Sequence, residues 1–325
     1  MELLQLEPVL TTEESVQAAS NADNHFINAN TSSISMDDLR SNCIIPSFSK
    51  DNESTICHTH FIEAVYMAAQ SMFKNETILA PAVRVSHPVK GRIPSAMGKP
   101  AKLLKDHEKT LYHERMAFIL EIPSIIDSVG GNEISMTIGG VRAYNETNLY
   151  SKKSAEKFKV FIGFKNKVCT NLCISSDGFI GEMKVRSVAE IVEEAYQLFG
   201  NYNPEEDVQV YSDMTQEAIT EQQFAQLVGR SRMYQYMPQK IKKEIPKMPL
   251  MDSQISTVTK DYYSDESFCK NESGDIDLWK LYNLFTGANK SSYIDSFSER
   301  NVGSHSFVKG LQNALKLDSG HWFVS

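Results

Sequence analysis

The chain predicts an α+β fold: an antiparallel β-rich core followed by a mainly helical C-terminal half. Three observations carry that prediction. Residues 157–167, KFKVFIGFKNK, alternate with period two, so Phe158, Val160, Ile162 and Phe164 share one face of a strand. Gly130-Gly131-Asn132 separates two apolar runs, as a tight hairpin turn does. From about Ser187 onward the apolar spacing changes to that of helices.

The elements follow in order. Residues 1–42 contain SNADNHFINANTSSISMDD and lack sustained periodicity, so they are expected to form a disordered or mobile tail. The fold is expected to begin near Cys43-Ile44-Ile45-Pro46. Thr59 is placed to cap a helix through about Phe73, with Phe61, Val65, Ala68 and Met72 on one face. Pro88, Pro94 and Pro100 argue against regular structure over 84–100, and a short helix is expected around 101–112. Strands are predicted at 116–122, 133–141, 157–167 and 182–188. Helices follow in SVAEIVEEAYQLFG, after the capping-box sequence Thr220-Glu221-Gln222-Gln223, in LWKLYNLFTG and over about 307–317. The expected organisation is an α+β core over 43–200 and a helical region over 201–325 packed on it.

Composition bounds the class. The 325 residues suit one large or two ordinary domains, and 41% apolar content can fill a core. Five cysteines, an odd number without a Cys-x-x-Cys pair, fit reduced thiols. The acidic start MELLQLEPVL is unlike a secretion signal, and no run of 18 apolar residues occurs. A cytoplasmic protein is expected.

Charge is unevenly placed. The net charge is −8, yet residues 84–115 hold eight Lys/Arg against three acids. Residues 142–186 hold nine against four, and residues 229–247 six against one. Each segment is net +5, and together on one surface they would attract a polyanion. The first candidate contact is the other face of the 157–167 strand. There Lys157, Lys159, Lys165 and Lys167 flank Phe161, an arrangement suited to holding phosphates and stacking a base. Arg142, Tyr144, Tyr150, Lys152 and Lys153 extend it upstream. The second candidate is the proline-stiffened stretch with Arg84, Lys90, Arg92, Lys99 and Lys102; the third is Arg230 and Arg232 in the stretch 229–234, followed by Lys240, Lys242 and Lys243. Each has a plainer alternative as an ordinary solvated surface, and the third as charge favourable to a helix C-terminus.

Chemistry beyond binding has little support. His107-Glu108 and His113-Glu114 lack the spacing that puts two metal ligands on one helical face. Cys169 and Cys173 lack a second pair. No Gly-x-Ser-x-Gly, Gly-x-x-x-x-Gly-Lys-Ser/Thr or Gly-x-Gly-x-x-Gly occurs. No catalytic residue, metal or cofactor is assigned.

Several segments together are familiar: RVSHPVKGRIP, EKTLYHERMAF, GGVRAYNETNLYSKK, FIGFKNKVCTNLC, AITEQQFAQLVGRSRMYQ and LWKLYNLFTGANKSSYID. They resemble an uncharacterised family of Bacteroidota mobile elements, a domain of unknown function, over about residues 43–325. NKVCTNLC and LYNLFTGANKSSYID more distantly resemble the phage/plasmid-like protein family. The resemblance implies a bacterial protein carried on a phage, plasmid or conjugative element, and carries over no catalytic residue. With the charge pattern it leads to an expected function: a self-associating, non-enzymatic protein that binds nucleic acid, single-stranded DNA favoured, in recombination or replication. The alternative is a protein–protein module, such as an inhibitor of a host defence system.

Overall fold

A computed structural model of the chain describes residues 25–42, 55–96, 98–146 and 155–324. Its centre is an antiparallel sheet in the order β1-β2-β5-β6-β7-β8, with β9 also pairing β7. The strands are β1 (Thr31–Ile34), β2 (Ala82–Ser86), β5 (Arg115–Val129), β6 (Asn132–Ala143), β7 (Glu156–Asn166), β8 (Leu172–Cys173) and β9 (Phe179–Val185). Two strands inserted in chain order, β3 (Pro88–Arg92) and β4 (Lys109–His113), pair only with each other. A further short pair is β10 (Ala218–Ile219) with β11 (Ile276–Asp277). The helices are α1 (Met36–Asn42), α2 (His58–Met72), α3 (Val188–Asn201), α4 (Pro204–Met214), α5 (Glu221–Tyr236), α6 (Gln239–Lys242), α7 (Asp252–Ser264), α8 (Leu278–Asn289) and α9 (Ile294–Lys316). The α+β class is as the sequence predicts. No described helix is long and apolar enough to cross a membrane.

The β5–β6 hairpin shows how the sequence dictates its own turn. Val129 pairs with Asn132, leaving Gly130 and Gly131 as a two-residue loop with φ of 56° and 79°. Both angles lie in the left-handed region, which glycine enters without a Cβ penalty. Farther along β5, pairing skips from Ile122 to Ile126. Pro123 lies in the skipped segment and has no N–H for the ladder.

Both faces of the sheet are covered. One face presents Phe118, Leu120, Ile138, Phe158, Val160 and Ile162 to a core shared with Phe61 and Val65 of α2. The other presents Ala117, Ile119, Val141 and Phe161 to Ile294 and Phe297 at the start of α9. Phe26 and Ile27 join that second cluster.

Several sequence expectations change. Residues 25–42 are part of the fold: β1 pairs β2, and Leu39 is buried with α2. Apolar Phe26, Ile27 and Leu39 outweigh the polar composition around them. The expected starting point at residues 43–46 lies outside the described residues. Cys57, rather than Thr59, caps α2, its Sγ accepting the His60 N–H at 3.5 Å. The proline-rich stretch contains a strand, because Pro88 occupies its first position. Residues 101–112 form 3-10 turns at 101–103 and 106–108 and then β4, not one helix. The last helix begins at Ile294 rather than near 307. The capping box at Thr220 forms as expected, with Thr220 Oγ1 accepting the Gln223 N–H at 3.2 Å.

Candidate nucleic-acid interface

Tyr150, Lys152 and Lys153 lie outside the described residues. The other sequence-predicted contacts divide into a sealed group and an open one.

The sealed group surrounds β7. Phe161 is only 2% exposed, packed beneath α9, so it cannot stack on a base. Its register partner is Gly139, where any Cβ would collide with the Phe161 ring. The glycine therefore makes the space that the ring fills. Each neighbouring lysine meets a carboxylate: Lys157 on Glu182, Lys165 on Glu121 and Lys167 on Glu133. Lys159 is 6% exposed and sits between Glu299 at 2.7 Å and Glu146 at 3.0 Å. Burial pulls the Lys159 pKa down, but the two carboxylates outweigh it and hold the ammonium above its ordinary value. The outward cationic face expected from the alternation is thus a neutralised seam, buried at Lys159 and Phe161 and partly exposed at its Lys157 and Lys167 ends. Replacing all four lysines with glutamate would place like charges against carboxylates, so unfolding is expected rather than clean loss of a ligand.

Arg142 and Tyr144 are sealed too. The Arg142 side chain is fully buried, its Nη2 on Glu156 and its Nη1 donating to the Lys157 carbonyl at 2.6 Å. Its guanidinium lies over the Phe158 ring at 4.1 Å and the Tyr144 ring at 4.9 Å. Burial lowers its pKa, with partial compensation from Glu156. Arg84 is buried against β1, donating to Thr31 Oγ1 at 3.0 Å and Ser33 Oγ at 2.7 Å. In the C-terminal half, Arg230 donates to the Trp322 carbonyl with its guanidinium over that indole. Arg232 is exposed but paired, gripping Asp252 through Nε at 2.8 Å and Nη2 at 3.2 Å. All of these arginines have structural partners.

The open group lies on the arm of residues 87–113, formed by β3, β4 and the turns between them. The arm holds six Lys/Arg against two acids. Lys99 pairs with Glu108, Lys109 with Asp106, and Arg92 donates to the Lys99 carbonyl. Lys90 and Lys102 are exposed and have no ion-pair partner among the described residues. Lys105 is a third such cation, which the sequence reading did not single out. It could have been found, because it lies midway between Lys102 and Lys109 in a segment already marked as basic.

The third basic segment closes α5, and there the sequence reading missed only Tyr236. Tyr236 is 85% exposed and Met233 61%, with exposed Lys240 and Lys243 just beyond. Met233 and Tyr236, three residues apart at the end of α5, share one side of that helix, and Lys240 follows on α6 beyond Pro238. Among the described residues, no group of three or more His, Cys, Asp or Glu side chains could hold a metal ion.

No curated protein and no solved structure matches the chain. Residues 9–324, nearly the whole length, match the family described as a domain of unknown function with a B. theta gene description (DUF3871), and the chain belongs to that family.

Proposed function

We propose that this chain binds nucleic acid, single-stranded DNA favoured, through the arm of residues 87–113. One observation carries the reading: Lys90, Lys102 and Lys105 are exposed without a carboxylate partner, whereas every lysine along β7 has one. Cations that are not neutralised internally can replace the counterions on phosphates, and the released ions drive association. Tyr236, with Lys240 and Lys243 beside it, supplies the kind of exposed ring on which an unpaired base stacks. The role is binding or annealing of single strands rather than catalysis, by an oligomer whose arms line one track. The resemblance to mobile-element proteins supports replication or recombination of such an element in a bacterial cytoplasm as the setting.

The test is fluorescence anisotropy of a labelled single-stranded oligonucleotide across a salt series, with duplex alongside. Binding should weaken steeply with salt. In the Lys90→Glu/Lys102→Glu/Lys105→Glu variant, three lost phosphate contacts should flatten the log–log slope by roughly 2. No binding by the wild type at low salt would sink the proposal. A second reading, docking to a protein such as a host defence component, is favoured by Leu103 and Leu111, which are 69% and 49% exposed on the same arm. Retained oligonucleotide affinity in the triple variant would move the interface off the arm.

A further inference from the structure

A groove of about 840 Å³ runs between the 246–251 loop and the outer side of α9. Its size falls within the range of small-molecule sites, about 300–1,000 Å³. Met248, Pro249, Met251 and Phe307 supply apolar wall. Gly303 lets the two sides approach closely, because a Cβ there would lie 3.0 Å from Pro249 Cβ.

Three carboxylates and three cations line the groove, but they do not pair one to one. Each carboxylate is already engaged. Glu146 and Glu299 hold Lys159, and Asp295 holds Arg115 at 3.2 Å. Two lining cations, Arg300 and Lys247, have no ion-pair partner among the described residues. Lys247 is exposed, while Arg300 is partly buried. Arg300 Nη1 donates to Gln254 Oε1 at 2.7 Å and Ser292 Oγ at 3.2 Å, both neutral acceptors. Burial lowers the Arg300 pKa, and Asp295, which is itself paired with Arg115, offsets this only in part, so the guanidinium is held in place without an ion pair of its own.

We infer that the α9 groove is a binding site for a nucleoside phosphate, with the phosphate on Arg300 and Lys247 and the flat base against the methionine, proline and phenylalanine wall. A guanidinium offers paired donors that match phosphate oxygens. Thioether sulfur makes favourable contacts with aromatic rings. A lone phosphate would leave the apolar wall unused, and a lone nucleoside would leave the cations unmatched. The same chemistry is presented by a free mononucleotide and by the phosphorylated end of a strand. The site does not depend on the arm, which uses other residues.

Isothermal titration of the full chain with adenosine 5′-monophosphate tests this, with adenosine and inorganic phosphate as controls. The monophosphate should bind at least about tenfold more tightly than either control, about 1.4 kcal/mol. Arg300→Gln should lose about tenfold in affinity, and Arg300→Lys should recover part of it, with circular dichroism confirming that both variants are folded. If Arg300→Gln does not fold, Lys247→Glu serves instead, with the same loss expected. No heat from the monophosphate at millimolar concentration would overturn the site, as would equal binding by a folded Arg300→Gln protein. The arm variant Lys90→Glu/Lys102→Glu/Lys105→Glu should keep its monophosphate affinity; a parallel loss would also overturn the separate site. Comparing an oligonucleotide with and without a 5′-phosphate identifies the source. Preference for the phosphorylated end supports strand ends as ligand, and equal affinity of both oligonucleotides supports the free nucleotide.

Discussion

The seam along β7 and the arm of residues 87–113 are both rich in lysine, and the fold uses them in opposite ways. Along β7 the other strands of the sheet bring a carboxylate to Lys157, Lys165 and Lys167, Glu146 and α9's Glu299 hold Lys159, and α9 closes over Phe161. On the arm, two strands pair only with each other, and three lysines face solvent without acids opposite. The lesson is that charge counted along a chain is not charge available to a ligand. Availability depends on which acids the topology delivers, and those acids are distant in sequence: Glu299 reaches Lys159 from 140 residues away.

The largest expected effect breaks the sealed side of this contrast. Phe161→Ala should cost about 3–5 kcal/mol in urea unfolding, since the ring fills space that Gly139 leaves and α9 cannot collapse into fully. A loss below 1 kcal/mol would mean that α9 does not cover that face. Acid should then probe the neutral groups of the interior. Burial lowers the pKa of His58 to about 3 and that of His305 to about 4. As pH falls through 6.5, the unfolded chain takes up protons that the folded chain refuses until pH 4 or below. Stability should therefore drop with acid, by about 2 kcal/mol for each histidine at pH 5. Urea midpoints at pH 7 and pH 5 read this directly, and His305→Gln should reduce the slope.

The arm variant comes next. Lys90→Glu/Lys102→Glu/Lys105→Glu should lose oligonucleotide affinity by about tenfold or more. Its unfolding free energy should stay within about 0.5 kcal/mol of wild type, because the three side chains are exposed and away from the core. The smallest effect sharpens the seam. Lys167→Gln removes a half-exposed partner of Glu133 and should cost no more than about 1 kcal/mol. A melting curve showing a large loss would shift credit for the seam from packing to ion pairing.

Much of the fold was legible because it is local. Alternation in KFKVFIGFKNK, the glycine pair of the hairpin and the Thr220–Gln223 box each act within a few residues. The chemistry of the β7 face was not legible, because its polar alternation is the same for a solvated strand and for one covered by a distant helix. Phe161 was the discordant residue in that pattern, and its partners Phe297 and Ile294 lie more than 130 positions away. The arm was legible as basic but not as a strand pair, because three prolines hid a strand that needs only Pro88 at its start. The groove combines a loop with a helix and has no contiguous signature.

The placement of α9 has a consequence for how the chain is made. Synthesis delivers β5, β6 and β7 well before residues 294–316, the helix that covers their second face. Until then Phe26 and Ile27, without Ile294 and Phe297, are available to cover Ala117, Ile119, Val141 and Phe161, which leaves apolar sheet surface of the kind that invites association between nascent chains. Refolding yield should therefore fall with protein concentration, and a segment spanning only the sheet should aggregate where the whole chain does not. The C-terminal helix acts, in effect, as the chain's own late-arriving chaperone.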